Sequence, residues 1–144
     1  MRVVTRAEAY YRREHRESPA VIETAEDVDR MIDYLLSGEE WHTAASVGST
    51  DRPLLPSGST DHEFLVGVSP QKVAGVITFG CGGQTLATLG AVDSGDELRY
   101  HIAGHDYYFP GNSEIPLDRV REAVKEFVFS GGQRPTCVDW QPFD

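Results

Sequence analysis

Lysine is almost absent from this 144-residue chain, with two residues against 11 arginines, and cysteine occurs only at Cys81 and Cys137. The imbalance between the two basic residues reads as a coding bias and carries no functional weight. There is no CxxC pair, no GxSxG elbow, and no HxE followed by PCxxC, so the usual zinc ribbons, serine hydrolases and zinc deaminases are not indicated. No apolar run approaches the ~20 residues of a membrane-spanning helix. The segment Met1–Arg16 is charged throughout and lacks the apolar stretch of a signal peptide. Two unlinked thiols suit a reducing compartment, and a cytoplasmic location is expected.

What is present is negative charge. The formal net charge is -10, from 23 acidic and 13 basic residues. Five of the arginines (Arg2, Arg6, Arg12, Arg13 and Arg16) lie in the first 16 positions, so the remainder of the chain is more acidic still. Such a surface repels phosphates and attracts basic ones, which argues against nucleic acid and for a basic protein partner. At this length and with 40% hydrophobic residues, one domain spanning 1–144 is expected.

Residues 5–16 alternate. Arg6, Glu8, Tyr10, Arg12, Glu14 and Arg16 fall on one side and Ala7, Ala9, Tyr11, Arg13 and His15 on the other, which predicts a strand with one wet face at a sheet edge. Thr24 is placed to cap a helix whose apolar stripe is Val28, Met31, Ile32, Leu35 and Leu36, closed by Ser37-Gly38. Short alternating runs follow: Phe64, Val66 and Val68; then Val73, Ile77 and Phe79; then Leu98, Tyr100 and Ile102. Pro and Gly separate them, predicting an antiparallel meander with one buried face. Pro116 opens a second helix marked by Leu117, Val120, Val124, Phe127 and Val128, and Ser130-Gly131-Gly132 ends it. A last strand is expected over Thr136–Gln141. The order β-α-β(4–6)-α-β gives an α+β fold. The tetrapeptide Gly48-Ser49-Thr50-Asp51 recurs at Gly58–Asp61, with turn composition in both copies.

Candidate chemistry is sparse. His101, His105 and Asp106 are close in sequence, but an alternating strand and Gly104 break the helical spacing that would gather two histidines on one metal. Cys81, in Phe79-Gly80-Cys81-Gly82-Gly83, reads as a small residue in a tight hairpin. Pairing it with His101 or His105 would give a Cys-His enzyme. No metal and no cofactor are expected. Trp140 is expected to pack in the core. Of Tyr107 and Tyr108, neighbours on a strand, at most one is expected to be buried. Trp41, after Glu39 and Glu40, is the better candidate for an exposed anchor.

Several stretches carry a resemblance. They are Tyr10-Tyr11-Arg12-Arg13-Glu14-His15 leading through Ser18-Pro19-Ala20-Val21-Ile22, and Asp51-Arg52-Pro53-Leu54-Leu55-Pro56 before Asp61-His62-Glu63-Phe64. To these are added Gly111–Asp118 and Gly131–Trp140. Together the chain resembles immunity protein family 1 of bacterial polymorphic toxin systems. The resemblance implies an α+β fold and a protein that binds and neutralises a toxin encoded beside it, often a nucleic-acid deaminase, in the producing cell. It implies no catalytic residues.

A toxin acting on nucleic acid needs a basic cleft, which an acidic inhibitor can occupy. The expected contacts are therefore Asp93, Asp96, Glu97, Asp106 and Tyr107, with Glu39, Glu40 and Trp41 as a second patch. Two other readings stay open. One is a small enzyme using Cys81 or His101, His105 and Asp106. The other is a regulatory subunit for some other basic partner.

Overall fold

The structure is a computed structural model that describes residues 5–37, 42–102 and 104–143. The chain opens with β1 (Ala7–Tyr10), a single 3-10 turn (Arg13–Arg16) and β2 (Ala20–Ile22). Helix α1 (Ala25–Leu36) follows, then β3 (Ala44–Ser49), β4 (His62–Ser69), β5 (Ala74–Cys81) and β6 (Gln84–Thr88). The hairpin β7 (Leu98–Ile102) and β8 (His105–Phe109) precedes the two-residue β9 (Ile115–Pro116), helix α2 (Leu117–Phe129) and β10 (Trp140–Pro142). This is the expected α+β fold. The main sheet runs β10-β6-β5-β4-β3-β1-β2, with β9 added to β5, and every described pairing is antiparallel.

Local chemistry explains the helices. Thr24 Oγ1 accepts from the Asp27 backbone N–H at 3.2 Å, and the Asp27 carboxylate accepts from the N–H groups of Thr24 and Glu23 at 3.1 and 2.9 Å. This reciprocal cap fixes the start of α1. Val28, Met31, Ile32 and Leu35 are buried, as their spacing predicts. α2 buries Val120, Ala123, Val124, Phe127 and Val128. Gly131 and Gly132 then take positive φ (80° and 86°), and Gly132 N–H bonds back to the Phe127 carbonyl at 2.9 Å. Arg121 and Lys125 of α2 tie down Asp29 and Asp33 of α1 at 2.6–2.9 Å. Partly exposed pairs of this kind contribute about 0–1 kcal/mol each, so burial dominates the packing of the helices.

The larger core lies between the helices and one face of the sheet. Phe127 stacks on Phe64 with ring centroids 4.0 Å apart and meets Phe79 edge-on at 6.2 Å. Ala7, Ala9, Val47, Val66, Val68 and Ile77 complete this face. The opposite face is covered as well. There Ala44, Leu65 and Val76 pack beneath Tyr100 and Phe109 of the β7–β8 hairpin. The predicted meander with one buried face is therefore corrected: β7 and β8 leave the main sheet and fold back over it as a separate ribbon. The period-two pattern of Leu98–Ile102 reports a strand but not the sheet to which it belongs.

Four further expectations change. The first strand ends at Tyr10, because the His15 ring turns back to cap the chain: its Nδ1 accepts from the N–H groups of Tyr11 and Arg12 at 3.1 and 3.2 Å. β1 is interior to the sheet and β2 is the edge. Val73 lies outside β5, 64% exposed with φ 52°, a costly conformation for a β-branched residue. The last strand begins only at Trp140, because the Glu126 carboxylate captures the backbone N–H groups of Thr136 and Cys137 at 2.7 and 3.2 Å. Trp140 is half-buried against the larger core, and its indole N–H donates to the Pro135 carbonyl at 2.9 Å.

Candidate functional site

Tyr100 fixes the hairpin. Its ring lies on Gly67 of β4 so closely that a Cβ at Gly67 would stand 2.8 Å from Tyr100 Cγ. The Tyr100 hydroxyl donates to Glu114 at 2.9 Å, and Lys72 pairs with the same carboxylate at 3.2 Å. Burial and the adjacent Glu114 charge both push the phenol pKa upward, so it remains a donor. At the margin of the hairpin, Thr43 exchanges bonds with His101. Thr43 N–H donates to the His101 carbonyl, and His101 N–H donates to Thr43 Oγ1, each at 2.9 Å.

The hairpin divides the predicted contact residues. Asp93, Asp96 and Glu97 sit together before β7, all exposed, and no described cation pairs with them. Their loop is held by two backbone bonds, Gly90 N–H to the Asn112 carbonyl at 2.7 Å and Ser94 N–H to the Gly111 carbonyl at 3.0 Å. Asp93 also accepts from Gly95 N–H at 2.9 Å. Beside them Val92 is 75% exposed. Asp106 lies elsewhere. It stands opposite His101 in the β7–β8 register, four residues from Glu97 and so roughly 13 Å along the strand. Its carboxylate is 2.8 Å from His101 Nδ1 and 4.0 Å from Arg99, so part of its charge is offset. Tyr107 points to the other side of the ribbon, that of Tyr100. Both Tyr107 and Tyr108 are exposed, at 37% and 49%. Glu39, Glu40 and Trp41 lie outside the described residues.

The catalytic alternatives fare differently from the contact residues. His101 pairs with Asp106 and His105 with Ile102, so the two histidines project from opposite faces of the ribbon and do not converge. Among the described residues no group of three His, Cys, Asp or Glu side chains is arranged to hold a metal ion. Cys81 ends β5 on the helix-facing side of the sheet, whereas the hairpin covers the other side. Its strand partner His62 is six residues along β4 from Val68, whose N–H bonds the Thr43 carbonyl beside His101. That is a separation of roughly 20 Å. Cys81 and His101 therefore form no pair.

Cys81 belongs to a different network. Arg52 makes a two-pronged bond to Asp61 at 2.8 and 3.0 Å, donates to Cys81 Sγ at 3.2 Å and reaches the Gly132 carbonyl at 2.8 Å. His62 Nδ1 lies 2.8 Å from Asp61, and its Nε2 accepts from Ser49 N–H at 3.0 Å. Both ring nitrogens are thus engaged, and the group works as a clasp joining three loops. The Arg52 guanidinium, aided by His62, lowers the Asp61 pKa from 3.8 to about 2. The second thiol, Cys137, is pushed up to about 11 by burial and by the Glu126 carboxylate, and is a poor nucleophile at neutral pH.

A feature not anticipated from the sequence lies at the tip of the hairpin. Here the ribbon and the 3-10 turn after β1 enclose an open groove of about 860 Å³. Arg12, Arg13 and Arg16 line it with Tyr10, His105 and Tyr107. The early cluster of arginines was the available signal. What hid the groove was the reading of Arg12–Arg16 as a strand, which would have scattered those side chains over two faces.

These features define an α+β protein that carries solvent-facing charged and aromatic surfaces on a hairpin clamped to its sheet. The family model for Immunity protein Imm1 matches residues 16–142, and the chain belongs to this family of immunity proteins of toxin systems. No curated protein matches the chain. Among the described residues no helix is long and apolar enough to cross a membrane.

Proposed function

We propose that this protein neutralises one cognate toxin by stoichiometric binding in the cytoplasm of the producing cell, without turnover and without a cofactor or metal. The observation that carries the reading is the exposed Asp93, Asp96 and Glu97 loop in a chain of the Imm1 family. Three carboxylates within five residues, unpaired by any described cation and set beside the exposed Val92, supply both negative potential and an apolar contact. The toxin class that complements this surface is one acting on nucleic acid, such as a deaminase, whose substrate cleft is basic. Negative potential then steers association, and a salt-dependent on-rate is its signature. Asp106 extends the contact along the hairpin, Tyr107 adds an aromatic contact on the other face of the ribbon, and Glu39, Glu40 and Trp41 are the second patch. Nucleic acid and membranes are not partners in this reading.

The test is calorimetry and stopped-flow mixing with the purified toxin domain encoded by the adjacent gene. One-to-one binding that abolishes toxin activity, with an on-rate that falls as salt is raised, is expected. Failure to associate at low salt, or consumption of a substrate by the protein alone, would overturn the proposal.

A further inference from the structure

The groove between the hairpin tip and the 3-10 turn has the wrong sign for the surface just described. In a chain of net charge -10 it gathers Arg12, Arg13 and Arg16 within one turn. Arg12 is partly committed, since its guanidinium lies 3.3 Å from Glu14 and 5.1 Å from the centroid of the Tyr34 ring. Arg13 and Arg16 have no carboxylate partner among the described residues and are exposed. Tyr10 and Tyr107, 36% and 37% exposed, face the same space, with His105 beside them. Unpaired guanidiniums flanked by exposed tyrosines favour planar carboxylates and the chain that carries them.

From this geometry we infer that the groove is a second contact for the toxin, receiving an acidic segment that flanks the toxin's basic cleft. The inference rests on the proposed toxin-binding function. Three observations favour a carboxylate-bearing peptide over a polyphosphate. The surrounding molecule is strongly negative and repels a long anion. Glu14 and Glu17 stand in the same lining, which a short segment with a few carboxylates can avoid but a continuous phosphate backbone cannot. The lining also includes Tyr107 and Ile102 of the ribbon, so the site is amphipathic.

The placement fits one interface. From Glu97 to Ile102 is five residues, or roughly 17 Å, so a contact burying ~800 Å² on each side can reach from the acidic loop to the groove. Two patches of opposite sign also fix the orientation of the partner, which a single patch does not.

The experiment uses the full chain and the purified toxin domain encoded by the adjacent gene. The double variant Arg13→Glu/Arg16→Glu changes only exposed, unbonded side chains, and its thermal midpoint is expected to match wild type. It should bind the toxin at least about tenfold more weakly at low salt, with the gap narrowing as salt rises, whereas Arg13→Lys/Arg16→Lys keeps most of the affinity. A photo-crosslinking benzoylphenylalanine in place of Tyr107 should capture a toxin peptide containing several Asp or Glu. If wild type binds and the Glu variant binds equally well, or if the captured peptide is basic or lacks carboxylates, the inference is wrong. Tight binding of a fluorescent single-stranded oligonucleotide, lost in the Glu variant, would make the groove a nucleic-acid site and overturn it too. Should wild type fail to bind the toxin at all, the function proposed above falls and the groove contact falls with it.

Discussion

The seat of Tyr100 on Gly67 can be tested by placing one methyl group under the ring. In Gly67→Ala the new Cβ would sit 2.8, 2.9 and 3.1 Å from Tyr100 Cγ, Cδ1 and Cδ2. Carbon atoms in contact prefer about 3.5–4.0 Å, so the ring must retreat by roughly 0.7 Å or more. It has little freedom to do so, being 4% exposed, tied to Glu114 and packed edge-on against Phe109 with centroids 5.6 Å apart. Overpacking of this kind costs about 1–3 kcal/mol. Tyr100→Ala alone removes a buried ring and costs about 3–5 kcal/mol. In that background the clash is gone, and alanine replaces glycine within a strand at a φ outside the positive range, which favours folding by about 0.5–1 kcal/mol. The two substitutions should therefore be non-additive, coupled by roughly 1–3 kcal/mol. Urea unfolding of the four proteins measures this directly, provided the slopes agree. If Gly67→Ala costs the same with and without the Tyr100 ring, the ring does not rest there. The placement of the hairpin, and of both surfaces it carries, would then be wrong.

The remaining predictions concern charge and pH. Asp93→Asn/Asp96→Asn/Glu97→Gln should leave the unfolding midpoint nearly unchanged, because the three side chains are exposed and the amide oxygen introduced by Asp93→Asn can still accept from Gly95 N–H. The same variant should slow association with the toxin by about tenfold at low salt, a difference that fades at high salt in stopped-flow records. Burial, then the Arg12 charge, lowers the His15 pKa below 6.5, so the fold prefers the neutral ring that accepts from Tyr11 and Arg12. This contribution to stability is complete above pH 6.5 and is lost as pH falls toward the folded value; the His15 ring resonances should titrate below 6.5, and a midpoint above it would refute the cap. Asp61 behaves as a depressed carboxylate: its contribution is complete above pH 3.8 and disappears as pH falls to about 2. Arg52→Gln should move the Asp61 carbon resonance midpoint back toward 3.8, and no movement would show that Arg52 is not the cause.

The helices were legible because the signals that define them are local. Thr24, the apolar stripe through Leu35, and the Ser130-Gly131-Gly132 stop each act within a turn or two, and the structure reproduces them. The central strands were legible in period but not in layering. Phe64, Val66 and Val68 alternate correctly, yet Leu65 is buried too, because a hairpin more than 30 residues later folds over that face. Long-range pairing of this sort leaves no trace in β4 itself. Local capping misled in two places. His15 ends a strand pattern by accepting two backbone N–H groups, and Glu126 holds the chain out of the sheet at Thr136 and Cys137. In both, one side chain competes with the ladder for backbone donors. Asp93, Asp96 and Glu97, with Asp106 and Tyr107 beyond them in sequence, were expected as one set of contacts. The register separates them, because sequence proximity across a hairpin places residues at its base and near its tip.

That separation gives the hairpin its role in the proposed mechanism. The ribbon shares no strand pairing with the main sheet and is held by Tyr100, by Phe109 and by the exchange between Thr43 and His101. A contact surface mounted this way is displaced as a unit when its anchor loosens, so base and tip should respond together. Removing the Tyr100 hydroxyl alone, in Tyr100→Phe, keeps the ring on Gly67 and loses only the bond to Glu114, whose carboxylate retains Lys72 at 3.2 Å. The cost to stability should be about 1–2 kcal/mol. The informative comparison is between the losses of toxin affinity caused by Tyr100→Phe and by Tyr100→Ala. If the hairpin moves as one body, only the alanine variant should weaken both the salt-dependent on-rate assigned to the acidic loop and the Tyr107 crosslink assigned to the groove. Loss of one without the other would show that the two ends are positioned independently, and that the ribbon does not set their geometry.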